Sequence, residues 1–299
     1  SRPAFLPFTT GQQQTPFYPA ATRLPELCTT TALREVAQRI IITMPALIRQ
    51  LSLTGANSAP EPPMSKMPPV QPLSLTEAQT RAMWRAADCV CFDVDSTVCM
   101  DEAIDELARF AGRDKEVADL TAKAMKGGMT FREALIKRLD LIQPDMSMVE
   151  TYIRENPPRL SPGIEDLVGQ LHARNLAVYL VSGGFQSIIE PVATELSIPH
   201  ENIFANQLKF YFNGSYAGFE EKQPTSHQDG KARVVHFLKK KFGYQRVIMV
   251  GDGATDLAAC PPADAFIGYG GNQVREKVKA AAPWFVHSFA ELVDELRKA

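Results

Sequence analysis

A short apolar run that ends in two acids constrains this chain most strongly. Residues 89–92 read Cys-Val-Cys-Phe, and Asp93, Asp95, Ser96 and Thr97 follow within five positions. Such a run is typical of a buried strand. Because an uncompensated carboxylate at the edge of a core is costly, the two acids indicate a bound cation, a phosphate-binding loop, or both.

Composition limits the classes of protein that the 299 residues can form. A hydrophobic share of 45% allows a sizeable core, and a net charge of −2 offers no basic surface for nucleic acid or for an anionic membrane. No apolar run approaches the roughly 20 residues of a membrane-spanning helix. The five cysteines have neither zinc-site nor disulfide spacing, so we predict that Cys89 and Cys91 are core residues.

Residues 1–72 differ in composition from the rest of the chain. They are rich in Pro, Ser, Thr and Gln, and their charged residues are mostly basic. This composition suits an organelle transit peptide, with the plastid stroma as the expected destination, and equally a disordered tail on a cytoplasmic protein. Residues 58–72 are typical of an extended linker.

Beyond this segment, the pattern predicts helices and strands in a definite order. Ser74 and Glu77 fit a capping box for a helix that runs to Ala87, residues 101–157 show only helical spacing, and Ser161 is the expected N-cap of the next helix. The predicted strands are 89–93, 176–181, 246–250 and 264–267; the predicted later helices are 163–174, 185–196, 230–242, 255–260, 273–281 and 288–298; a hairpin spans 208–219 and turns at Asn213-Gly214.

Strands that alternate with helices predict an α/β fold, with a doubly wound parallel sheet and a Rossmann-like core. We expect the core to comprise residues 73–100 and 158–299. A small helical cap domain, 101–157, is inserted into it, and residues 1–72 form a disordered or targeting extension.

The carboxyl ends of parallel strands meet at one edge of a sheet, where ligands bind. There we expect Asp93 and Asp95, the turn Ser182-Gly183-Gly184, and the acids Asp252 and Asp256, with Lys231 opening the preceding helix. Carboxylates suit Mg²⁺, glycine N–H groups and a lysine suit phosphate, and an aspartate can attack phosphorus.

In this order, the segments 93–97, 182–184, Lys231 and 251–256 resemble the four signatures of the haloacid dehalogenase-like phosphohydrolases. Residues 75–299 as a whole resemble the branch of that family that acts on phosphoserine. The resemblance implies that Asp93 is the nucleophile and that Asp95 moves the protons. It also implies that Mg²⁺ binds Asp93, the Asp95 backbone carbonyl and Asp252, with Asp256 supporting the metal or Lys231.

The same resemblance implies a substrate pocket between the core and the cap. Glu102 would bind the substrate ammonium and Arg138 its carboxylate. The residues implied to bind substrate or phosphate are Glu102, Met125, Lys126, Gly127, Phe131, Arg138, Ser182, Gly183, Gly184, Lys231 and Thr255. Some close relatives have glycine where Lys126 stands.

The expected activity is hydrolysis of O-phospho-L-serine, a small molecule, as the last step of phosphorylated serine biosynthesis. Another small phosphorylated metabolite is one alternative, and an inactive regulatory protein on this fold is another. Residue-level reasoning also leaves Glu102 and Arg138 open as surface charges. The sequence does not define the oligomeric state, and a homodimer is one alternative.

Overall fold

The computed structural model describes residues 75–125 and 128–298, with the backbone alone of Met125. The first helix of the described residues, α1 (Glu77–Arg85), begins later than the sequence predicts. Thr76 is its N-cap: the Thr76 hydroxyl accepts from the Gln79 N–H, and the Gln79 side chain accepts from the Thr76 N–H. The capping box predicted at Ser74 and Glu77 is therefore wrong by two residues, because two overlapping Ser/Thr-x-x-Glu/Gln patterns compete.

Six parallel strands form the central sheet, in the spatial order β3-β2-β1-β6-β7-β8. The six strands are β1 (Cys89–Phe92), β2 (Ala177–Phe185), β3 (Ile203–Asn206), β6 (Val247–Gly251), β7 (Ala265–Tyr269) and β8 (Trp284–Val286). Cys91 pairs with Tyr179 of β2 and with Met249 of β6, so β1 lies at the centre of the sheet. The parallel sheet is confirmed, whereas the edge strands β3 and β8 were not predicted.

Strand β2 extends beyond its predicted end. Ser182, Gly183 and Gly184 lie inside the strand rather than after it, and the register with β3 shifts between Val181 and Phe185. The irregularity is a bulge-like distortion, which the two glycines permit and which turns their backbone toward the carboxyl edge.

Helices cover both faces of the sheet, as predicted. The helices of the core besides α1 are α6 (Ile164–Ala173), α7 (Gln186–Glu195), α8 (Gly230–Phe242), α9 (Ala254–Leu257), α10 (Glu276–Ala281) and α11 (Phe289–Leu296). Along β1, Val90 and Phe92 pack into one hydrophobic cluster and Cys89 and Cys91 into the other. This period-two alternation buries both faces, and it confirms that the two cysteines are core residues.

Helix α6 begins differently from the prediction. Its N-cap is Gly163, at a φ of 84°, and not Ser161. The Ser161 hydroxyl instead donates to the backbone oxygen of Thr97, at 2.6 Å, and so joins the loop after β1 to the segment before α6.

Four of the five α-helices between β1 and β2 precede α6, and we call them the helical insertion: α2 (Ala103–Phe110), α3 (Asp114–Met125), α4 (Phe131–Ile142) and α5 (Met146–Glu155). Their apolar faces form a third cluster that also takes in Phe185 of β2 and Phe219. Phe219 ends the antiparallel hairpin of β4 (Leu208–Phe210) and β5 (Tyr216–Phe219). The insertion therefore packs on the sheet's carboxyl edge and on the hairpin. No helix within the described ranges has the length and apolar character needed to cross a membrane.

Candidate active site

The site begins where β1 ends. The Asp93 N–H donates to the Val250 oxygen of β6, and one Asp93 carboxylate oxygen accepts from the Val94 N–H at 2.8 Å. The loop then turns through Ser96, whose φ is 56°. This turn, in the left-handed region, lets Asp95 face the same edge of the sheet as Asp93.

Lys231 lies between two of the acids. Its Nζ is 2.6 Å from an Asp93 carboxylate oxygen and 2.6 Å from one of Asp256, and all three side chains are buried. Burial alone would lower the pKa of Lys231, but Asp256 and Asp93 raise it above its ordinary value. Lys231 is therefore a fixed positive charge inside the site, which is the arrangement that a phosphoryl group requires.

Three carboxylates converge closely enough to share a cation. One oxygen each from Asp93, Asp252 and Asp256 lies within 4.8 Å of the others. Asp256 is also held by Lys231 and by the Gly253 N–H. Asp93 and Asp252 thus face the centre with hard oxygen donors, a set that fits Mg²⁺.

The pKa of Asp252 also reflects this crowding. Burial, followed by the nearby charge of Asp93, raises the Asp252 pKa, while Arg275 opposes the rise. A divalent cation would relieve the same repulsion.

Asp95 has the environment of an acid–base group. One of its carboxylate oxygens accepts from the Ala103 N–H at 2.8 Å, and the other accepts from the Ser182 hydroxyl at 3.2 Å. Burial, together with Glu102 and Asp93, raises the pKa of Asp95 to about 7. A group that titrates near neutral pH can both release and accept a proton.

The glycines of β2 bring the backbone close to the site. A Cβ at Gly183 would lie 2.9 Å from the Phe131 ring, and one at Gly184 would lie 3.0 Å from a carboxylate oxygen of Asp95. The Gly184 N–H donates to the fully buried hydroxyl of Ser182. Ser182 therefore braces this part of β2 and Asp95, and its contact with the phosphate stays a prediction.

A cavity of about 780 Å³ joins these groups to the helical insertion. Among the predicted site residues, those that line it are Asp93, Asp95, Glu102, Phe131, Arg138, Gly183, Gly184, Lys231, Asp252 and Thr255. Lys126, Gly127 and the side chain of Met125 lie outside the described residues. One cavity thus brings together residues from four distant parts of the sequence.

Glu102 and Arg138 supply opposite charges to the insertion side of the cavity. A Glu102 carboxylate oxygen accepts from the Ser96 hydroxyl at 2.8 Å. The Arg138 Nε donates to the Ala134 oxygen of its own helix, which steers the guanidinium. Burial lowers the pKa of Arg138, and Asp105 and Glu102 oppose that shift. Both side chains are partly buried, so neither is the fully solvated surface charge that the sequence left open as an alternative.

Arg275 is a site residue that the sequence did not reveal. Its Nε donates to Asp252 at 2.7 Å, and its Nη2 donates to Glu102 at 3.1 Å, so it neutralises charge on both sides of the cavity. Thr97 was likewise missed, and its hydroxyl donates to Asp252 at 3.2 Å. Arg275 precedes a short helix with no local motif, and only the topology brings it beside β6.

Comparison with known proteins agrees with this fold and site. The haloacid dehalogenase-like hydrolase family matches residues 87–264. A phosphoserine phosphatase of Mus musculus is 53% identical over 224 residues, which cover 75% of this chain and 100% of that protein. A chloroplastic phosphoserine phosphatase of Arabidopsis thaliana is 54% identical over 72% of this chain and 73% of its own length.

Comparison with solved structures also indicates similarity to phosphoserine phosphatases. A phospho-aspartyl intermediate analogue of a phosphoserine phosphatase superposes with a TM-score of 0.60 at 28% identity, covering 70% of this chain and 98% of that one. The chain belongs to the haloacid dehalogenase-like hydrolases and, within them, to the phosphoserine phosphatase family.

Proposed function

We propose that this protein hydrolyses O-phospho-L-serine to L-serine and inorganic phosphate through a phosphorylated Asp93. The observation that carries the proposal is one cavity that holds the Asp93–Lys231 pair at its base and Arg138 and Glu102 on its insertion side. Free L-serine as the product fits the last step of a serine biosynthetic route. The relatives act on phosphoserine by name, which favours this substrate over another small phosphorylated metabolite.

In the first half-reaction, a carboxylate oxygen of Asp93 attacks phosphorus, and the bond from phosphorus to the seryl oxygen breaks. Asp95 gives its proton to that oxygen, so L-serine leaves with its hydroxyl restored. A pKa of about 7 for Asp95 provides the protonated form near neutral pH. Lys231 and the Gly183 and Gly184 backbone would hold the phosphoryl oxygens, and Thr255 on the cavity wall would contact them.

In the second half-reaction, a water oxygen attacks phosphorus and its proton passes to Asp95. The bond between phosphorus and the Asp93 oxygen then breaks, inorganic phosphate leaves, and Asp93 is again a carboxylate. Phosphate-monoester hydrolysis is among the slowest uncatalysed reactions, and covalent catalysis divides it into two easier steps.

Mg²⁺ is the proposed cofactor. The Asp93 carboxylate, the Asp95 backbone carbonyl and the Asp252 carboxylate would hold it, while Asp256 keeps Lys231 in place. When bound, it supplies charge that stabilises the transferring phosphoryl oxygens.

Recognition of the serine part would fall to the helical insertion, which we propose acts as a cap over the core. The Glu102 carboxylate suits an ammonium group, and the fork of the Arg138 guanidinium suits a carboxylate. Phe131 closes the wall against Gly183. Met125, Lys126 and Gly127, adjacent in sequence to this wall, are proposed to complete it.

Phosphate release from O-phospho-L-serine tests the activity and the cofactor together. We expect turnover with Mg²⁺, loss of at least about 100-fold after chelation, and recovery when Mg²⁺ is restored, because a bound metal supplies several kcal/mol of charge stabilisation. Phosphothreonine, phosphotyrosine and a sugar phosphate serve as comparison substrates. A higher kcat/KM for any of these would support the alternative metabolite, and no turnover of any would support the inactive regulatory protein.

We also propose a division of the chain into a catalytic core, a cap and an N-terminal extension. Residues 73–100 and 158–299 would form the catalytic core, 101–157 the cap, and 1–72 an extension that carries a plastid transit peptide. Support for the last part comes from the acid-poor composition and the chloroplastic relative. A fluorescent reporter fused to residues 1–72 is expected to enter plastids, and a cytosolic reporter would contradict the targeting proposal.

We also propose a homodimer that forms through the tip of the β4–β5 hairpin. Phe212 is fully exposed there and Tyr211 is 64% exposed, and a contact between two copies would remove both aromatic side chains from water. Light scattering is expected to give the mass of a dimer for the wild type and of a monomer for Phe212→Ser. A monomeric wild type would contradict this contact.

A further inference from the structure

Arg132, the second residue of α4, ties the helical insertion to one segment of the core. Its guanidinium donates to the Glu221 carboxylate, and its Nη1 also lies 3.4 Å from the Glu221 backbone oxygen. The same guanidinium lies 5.9 Å from the centre of the Phe219 ring and contacts His227. Every one of these partners belongs to the core segment 219–227, which we call the docking segment.

The contact with His227 constrains the protonation of that residue. Arg132 Nη1 lies 3.1 Å from His227 Nε2. A guanidinium has no acceptor, so Nε2 must carry its lone pair and His227 must be neutral for this contact to be a hydrogen bond. If Nε2 were protonated, two donors of like charge would face each other.

The charged groups around His227 favour the neutral form. They come from every element packed against the ring: Arg132 of α4, Arg233 of α8, and Asp229 and Glu221 of the core loop. Burial, followed by Arg233 and Arg132, lowers the pKa of His227, and Asp229 and the Glu221 backbone oppose the shift only in part. The pKa of His227 therefore lies below its ordinary value, so the neutral form predominates at neutral pH and the ring gains its proton as the solution becomes mildly acidic.

The position of Arg132 gives this contact a role in the reaction. The preceding residue, Phe131, packs on Gly183, and Arg138 lies further along the same helix. The docking segment in turn contributes His227 to the cavity wall and leads into Lys231. Arg132 thus lies between the insertion groups proposed to recognise serine and the core groups proposed to hold phosphate.

We propose that Arg132 is a positioning residue that clamps α4 on the docking segment, and that this clamp holds only while His227 is neutral. The inference rests on the proposed phosphoserine activity, because the expected change is in substrate recognition. Loss of the clamp would displace Phe131 and Arg138, which would then bind the serine part of the substrate less tightly. The contacts among Asp93, Asp95 and Lys231 would remain.

Steady-state kinetics of Arg132→Gln test the clamp. We expect KM for phosphoserine to rise about 10-fold, because hydrogen bonds of a charged group are lost, with kcat changed less than threefold. Glu221→Gln should shift KM in the same direction. Arg113→Gln removes an exposed ion pair with Glu116 inside the insertion and is the matched control, with KM unchanged.

The pH profile separates a clamp from a merely structural contact. His227→Gln keeps a neutral side chain that can accept from Arg132 at every pH. The ratio of wild-type KM to His227→Gln KM is expected to rise several-fold as the pH falls from 7.5 to 5.5, and substrate ionisation cancels in that ratio. A flat ratio, or an unchanged KM in Arg132→Gln, would overturn the proposal.

Hydrogen exchange of the intact chain gives a readout that does not depend on the substrate. Amides of Phe131–Ile142 are expected to exchange faster in Arg132→Gln, and faster in the wild type at pH 5.5 once intrinsic rates are corrected. If phosphoserine were not the substrate, the changes in hydrogen exchange would still be observed, although the protein would not hydrolyse phosphoserine. If the exchange rates did not change, the clamp would be contradicted even in an active phosphoserine phosphatase.

Discussion

Replacement of Asp93 with asparagine is expected to lower kcat for phosphoserine by at least about 10³-fold, because an amide cannot attack phosphorus and nucleophiles of this kind carry effects of that size. The substitution preserves side-chain shape, and the amide oxygen can still accept from the Val94 N–H. Lys231 keeps Asp256 as a partner, so the fold should survive the loss of one carboxylate. Phosphate release and thermal unfolding, measured on the same preparation, check both expectations.

The control lies at the other end of the same strand. Asp88 precedes β1, pairs with Arg246 at 2.7 Å, and lies far in the fold from the carboxyl edge of the sheet. Asp88→Asn removes a carboxylate of the same kind and should leave kcat and KM unchanged. An Asp93→Asn protein that keeps more than a tenth of wild-type kcat would rule out Asp93 as the nucleophile.

Replacement of Arg138 with methionine is expected to raise KM for phosphoserine about 100-fold. The guanidinium is half-buried in the cavity, and each charged hydrogen bond to a carboxylate is worth about 1.5–3 kcal/mol. Methionine fills a similar apolar volume, so the change removes the charge and leaves most of the packing. The values of kcat and KM should be measured separately, since the phosphoryl-transfer groups are unchanged.

A substrate that lacks the carboxylate provides a second test of the role of Arg138. Phosphoethanolamine has the ammonium and phosphate of phosphoserine and no carboxylate. The wild type should discriminate against it about 100-fold in kcat/KM, and Arg138→Met should remove most of that difference. Discrimination that persists in Arg138→Met would place carboxylate recognition elsewhere. Arg113→Met, on the exposed face of the insertion, is the matched control.

The sequence was most informative where a local pattern and the sheet topology agree. The run 89–92 with its two acids predicted β1 and the site edge, and helix α8 begins and ends at the predicted residues, 230 and 242. Both rest on local patterns, an apolar strand in one case and helical spacing in the other, and in the structure Gly243 is the C-cap of α8. The parallel sheet followed from the alternation of such elements.

The features that were missed depend on contacts between distant residues. Strands β3 and β8 have four and three residues and lie at the edges of the sheet, where pairing with a neighbour defines them more than their composition does. Arg275 acquires its role only because β6 and α10 bring it beside Asp252. The sequence also did not reveal that Lys231 is buried between two acids, because a lysine at the start of a helix is usually exposed to solvent.

The central claim is that Asp93 carries the phosphoryl group after serine has left. Label exchange tests it most directly: unlabelled phosphoserine is incubated with enzyme, Mg²⁺ and saturating isotopically labelled L-serine. A phosphorylated Asp93 can pass its group back to the serine hydroxyl, so label is expected in phosphoserine, and it should be absent with Asp93→Asn. Undiminished phosphate release with no label in phosphoserine would mean that water attacks the substrate directly, and it would contradict this account.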